Sequence, residues 1–114
     1  MTKKAKLEQF DRLQTDKWNL DCILHDLMND RVTWGAWVKD SDSHTRVGIS
    51  DRAMPLAIVM FRYPGQSDAV QEVCLLERFE ESLRERRSRS QVWDATCRAL
   101  ISAKEKTQAK TEAA

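Results

Sequence analysis

Cysteine, histidine, proline and glycine are all scarce in this chain: three, two, two and three residues among 114. Cys22, Cys74 and Cys97 are odd in number, widely spaced and without a CxxC pair. With only His25 and His44 beside them, no tetrahedral metal set is spelled out. Each cysteine falls on an apolar helical stripe, so reduced core thiols are the expected reading. No apolar run approaches the roughly 20 residues of a membrane span. The basic start MTKKAKLEQF is followed by no apolar stretch of the kind a secretory signal needs. A cytoplasmic location and no membrane partner are therefore expected. The motifs GxSxG, GxxxxGK[ST] and HExxH are absent. That leaves no nucleophile, phosphate cradle or zinc site to assign. The expectation is a non-enzyme with no metal and no cofactor.

What the chain does have is charge and apolar periodicity. Charged residues make up 32% and hydrophobic residues 41%, which suits one modest core under a charged surface. Net charge is only +1, so there is no overall electrostatic commitment to nucleic acid. Five arginines from Arg84 to Arg98, against Glu85 and Asp94, form a local exception.

The stretch LDCILHDLMNDRVTWGAWV, residues 20–38, carries the clearest helical rhythm. Leu20, Ile23, Leu24, Leu27 and Met28 share one face. Thr15 or Asp16 suits the N-cap, and the spacing predicts a central helix over about 17–38. Trp34 and Trp37, three apart, would lie on nearly the same helical face. They read either as core or as a partner-binding anchor. Gly35 between them either marks the end of the helix or admits another element closely.

Residues 3–14 read as a short helix. Residues 39–55, rich in Ser and Asp, read as a long loop. Asp40, Asp42 and Asp51 in that loop lack the spacing of a calcium site. Residues 54–63, MPLAIVMFRY, fit either a strand or a buried helix. With no second strand-like run to pair with, the helix is favoured, ending at Pro64-Gly65. Residues 67–87 read as a strong amphipathic helix through Val70, Val73, Cys74, Leu76, Phe79 and Leu83. A last helix runs from Gln91 to about Lys104, capped by Ser90. The expected fold is all-α: a small helical domain of about four helices over 1–104, with a long central loop and a frayed, disordered polar tail at 105–114.

The basic junction before the last helix suits phosphate. Arg86, Arg87 and Arg89 precede a helix opened by Ser90 and Gln91, and guanidinium groups and first-turn N–H groups both attract phosphate. Gln91 could read a base edge. The alternative is ordinary capping between two amphipathic helices.

Two stretches resemble the small, non-zinc type of the phage antitermination protein Q family. WGAWVKDSDSHTRVGIS, residues 34–50, is similar to its tryptophan-rich helix end and polar loop. RSRSQVWDATCRALISAK, residues 87–104, is similar to its sigma-region-4-like segment, in which Ser-Arg-Ser opens a recognition-type helix. The resemblance covers about a third of the chain. It implies a phage-type transcription regulator that binds bacterial RNA polymerase and DNA. In the cytoplasm of a bacterial host cell, Trp34 and Trp37 would then belong to the structural or polymerase-facing helix, and Arg87, Arg89, Ser90 and Gln91 would face DNA. The alternative, from another class, is a small phage-encoded inhibitor that occludes a host protein, such as a defence complex, without reading DNA.

Overall fold

The computed structural model describes residues 15–86 and 91–113, with side chains at 86, 91–93 and 113 left aside. The predicted helix at 3–14 lies outside the described residues. In order, the elements are α1 (Lys17–Met28), β1 (Val32–Trp34), β2 (Val38–Asp40), β3 (Ser43–Ser50), β4 (Leu56–Arg62), β5 (Ala69–Leu75), α2 (Leu76–Arg86) and α3 (Gln91–Ala113). The fold is α+β. The all-α expectation of about four helices is overturned by a five-stranded antiparallel sheet.

The sheet order is β1-β3-β4-β5, with β2 pairing beside β1 along the same edge of β3. Helix α1 lies on one face, and α2 and α3 pack on the other. β4 explains the apolar run LAIVMF. Leu56, Ile58 and Met60 join the core under α1, while Ala57, Val59 and Phe61 join the core under α2 and α3. A strand buried on both faces reads as a continuous apolar run. The helix favoured for 54–63 is therefore a central strand.

The predicted central helix over 17–38 stops at Met28. Asp30 at φ 55° takes the left-handed conformation that Asp tolerates, and the Arg31 N–H donates to the Asp26 carbonyl at 2.8 Å. The start was legible: Asp16 caps α1 by accepting from the Asn19 N–H at 2.8 Å. The predicted 39–55 loop is mostly the β2–β3 hairpin. Asp40 pairs with Ser43 around a two-residue turn in which Ser41 has φ 52°. The predicted helix over 67–87 is strand β5 followed by α2. Pro64-Gly65 does form a turn, with Gly65 at φ 72°. The last helix continues through 105–113, where Thr107 and Thr111 donate to carbonyls four residues back.

Both edges of the sheet are irregular. In β5, Glu72 pairs with Val59 and Val70 with Met60, so Gln71 is an extra residue. At the other edge, Trp34 pairs with Gly48 and Val38 with Thr45, so three residues (35–37) face two (Arg46 and Val47). Such bulges bend an edge and discourage pairing with another chain.

Candidate functional site

The bulge between β1 and β2 is held by helix α3. The Gly35 N–H donates to the Val47 carbonyl at 2.9 Å. The Ala36 N–H donates to the Ser102 hydroxyl at 2.8 Å. A β-carbon on Gly35 would lie 2.6 Å from the Ala103 backbone nitrogen, so only glycine permits this approach. Gly35 does admit another element closely, but from a strand rather than a helix. Ala99 and Ala103, both buried, supply the flat helix surface it meets.

The bulge turns both tryptophans to the opposite face of the sheet. Trp34 lies over Gly48, where a β-carbon would be 2.8 Å from the ring. The Arg46 guanidinium carbon sits 4.1 Å from the Trp34 ring centroid and 4.6 Å from that of Trp37. The Arg62 guanidinium carbon lies 4.0 Å from the Trp37 centroid. A cation over an indole face is attracted by roughly 0.5–2 kcal/mol, more as water is excluded. Arg46 also directs Nη2 to the Met60 sulfur at 3.5 Å, while its buried Nε has no hydrogen-bond partner among the described residues. Burial pushes its pKa down. Asp68 opposes that shift and Arg62 adds to it.

Arg62 is oriented by Asp68 through two bonds, Nε to Oδ1 at 2.8 Å and Nη2 to Oδ2 at 3.2 Å. This fork raises the Arg62 pKa and holds the Asp68 carboxyl below its ordinary range. The group Trp34–Arg46–Trp37–Arg62–Asp68 is thus continuous. It lies on the same face as α1, and both tryptophans pack, partly buried, against the core that Ile23 and Leu24 of α1 form with Val32, Leu56, Ile58, Met60, Val70 and Val73.

A second polar cluster ties α1 to the 51–55 loop. Asp26 is fully buried, and Arg52 donates Nε to its Oδ2 at 2.5 Å and Nη2 to its Oδ1 at 3.2 Å. Nη2 also reaches the Cys22 carbonyl at 3.3 Å. The Asp26 hydrogen bonds raise the Arg52 pKa. With its partner held this way, Asp26 reads as a structural tie. A cleft of about 350 Å³ lies beside it, between that loop and α3, lined by Thr33, Asp51, Arg52, Thr107 and Lys110 among others.

Of the residues singled out from sequence, Trp34 and Trp37 are brought together, half-buried, around Arg46. Arg87, Arg89 and Ser90 lie outside the described residues. Arg86 is the last residue of α2 and Gln91 the first of α3. Sequence reasoning missed Arg46, Arg62 and Asp68. The available signal was alternation in HTRVGIS: Thr45, Val47 and Ile49 point one way, which sends His44, Arg46 and Gly48 the other way. Among the described residues no group of three or more His, Cys, Asp or Glu is placed to hold a metal, and no helix is long and apolar enough to cross a membrane. No protein-family model matches the chain, and no curated protein or solved structure shows significant similarity to it.

Proposed function

We propose that this chain acts by contact: it binds a protein partner through the face built on Trp34, Arg46, Trp37 and Arg62, and controls that partner by occupying its surface. The observation that carries this reading is the stack itself. Two large aromatics and two guanidinium groups are held together at one end of a sheet face. Tryptophan and arginine are the residue types that most often anchor protein interfaces. Groups already stacked lose less conformational freedom on binding than mobile ones. This favours the occluding-inhibitor class over a reader of duplex DNA.

The transcription-regulator reading is a second proposal. It is supported by the likeness of residues 87–104 to the antitermination family and by a helix that begins at Gln91, directly after a basic segment. In that reading RNA polymerase is the partner, and Arg86, Arg87, Arg89, Ser90 and Gln91 touch DNA.

Affinity capture from nuclease-treated bacterial lysate tests both. The contact reading expects a stoichiometric protein retained by the native chain and lost by Trp37→Ala, with the far-ultraviolet spectrum of the variant unchanged. Equal capture by a folded Trp37→Ala variant overturns it. RNA polymerase subunits as the captured protein, with duplex binding that fails in Arg87→Ala, Arg89→Ala, would support the regulator reading.

A further inference from the structure

We infer that the partner of this face is acidic: a carboxylate-bearing protein segment seats across Lys39, His44 and Arg62. The inference rests on the contact reading above and adds the partner's chemistry. Register alone builds the row. Lys39 of β2 pairs with His44 of β3, and His44 pairs with Arg62 of β4. Residues directly opposite on neighbouring strands share a face at about 5 Å. Three side chains able to carry positive charge therefore line up across three adjacent strands. Lys39 and Arg62 are exposed and His44 is half-buried. Arg46, paired with Met60, lies one step further in on the same face.

Charge complementarity selects the occupant. Lys39, Arg46 and Arg62 set three positive charges beside the Asp68 carboxylate, which Arg62 already engages. A single-stranded nucleic acid is anionic too, but such ligands are held by bases stacking on open aromatic rings. Here Arg46 already lies over both indoles and Arg62 over Trp37, on ring faces that a base would need. The edges of the stack and the basic row remain, and these suit carboxylates, which bind by charge-assisted hydrogen bonds rather than by stacking.

The test is a titration of the ¹⁵N-labelled full chain, followed by amide and indole resonances, with three probes: deca-glutamate, deca-lysine and decathymidylate. Deca-glutamate is expected to shift Lys39, His44, Arg62 and the Trp37 indole, and deca-lysine to shift none of them. Raising salt from about 50 to about 300 mM should weaken the effect several-fold, because the row is exposed to screening. Lys39→Glu, an exposed change, should weaken deca-glutamate binding about fivefold or more, with resonances outside β2 and its neighbours unmoved. Absence of shifts along the row overturns the inference, as does tighter binding of decathymidylate than of deca-glutamate. If deca-glutamate is ignored while partner capture still depends on Trp37, the acidic partner is rejected and the contact reading stands.

Discussion

The Gly35 α-carbon sits so close to Ala103 that an added β-carbon would be 2.6 Å from the Ala103 nitrogen and 2.9 Å from the Ala99 carbonyl oxygen. Both contacts are to helix backbone, which cannot step aside as a side chain can. Gly35→Ala is therefore expected to lift α3 from the bulge and cost about 1–3 kcal/mol, the range for overpacking a well-filled core. A fall in the urea midpoint at unchanged slope would register it. An unchanged midpoint would mean that α3 is not seated as described.

Gly48→Ala separates stability from the binding face. Its β-carbon would meet the Trp34 ring and a Val32 methyl at 2.8 Å, both side-chain atoms. The ring must move, so the near-ultraviolet circular dichroism of the stacked indoles should change. Partner capture should weaken even if the fold survives. Full capture with an altered near-ultraviolet spectrum would argue that the stack is structural only.

The Asp26–Arg52 pair predicts an asymmetry. Asp26 is fully buried, whereas the Arg52 side chain keeps 28% of its exposure. Arg52→Met leaves the buried carboxylate with only the exposed His25 ring, 3.3 Å from Oδ1, and should cost about 3 kcal/mol or more. Asp26→Leu leaves a guanidinium that can turn to water, and it should cost less. Chemical denaturation of both variants checks the order. The reverse order would place the dominant role of the pair on the Arg52 side.

Cys74 gives the alkaline behaviour. Burial, helped by Glu72, pushes its thiol up to about 12 from an ordinary 9.0. Between those values the unfolded chain releases a proton that the folded chain keeps. Stability should therefore fall as pH rises through that window. In a Cys22→Ser, Cys97→Ser background, native Cys74 should alkylate far more slowly at about pH 8.5 than it does in urea. Equal rates would contradict its burial.

Asp68 governs the acid side. Its hydrogen bonds to Arg62 hold its carboxyl below the ordinary range. The stabilisation is therefore present above the unfolded carboxylate pKa of about 3.9 and is lost as pH falls through the lower folded value. Asp68→Asn should flatten the acid limb of the stability curve measured by urea unfolding below about pH 4. The same steepness in both proteins would exclude this pair as a cause.

Two of the misleading features of the sequence come from the two bulges. Val70 and Val73 are three residues apart and both pack under α1, as they would on a helix. They do so because Gln71 is an extra residue in β5, which shifts the strand's alternation by one. Trp34 and Trp37 share a face for the same reason, with residues 35–37 opposite only two residues of β3. A spacing of three on one face is the mark of a helix in a local pattern, and a bulged strand produces it as well. The WGAW segment was thus legible as a pair of aromatics facing one way, but not as an edge strand.

The sequence by itself determined what depends on a few neighbouring residues. The Asp16 cap, the α1 stripe from Leu20 to Leu27, the Pro64-Gly65 turn and the apolar face of α2 are local matters of hydrogen bonding and spacing. Tertiary structure alone decided that 32–34, 43–50, 56–62 and 69–75 are strands, because a strand is stable only when a distant segment pairs with it. It also decided the binding face. Arg46 meets Trp34, Trp37 and Met60 only once β3 lies between the broken edge and β4, and no local pattern encodes that pairing.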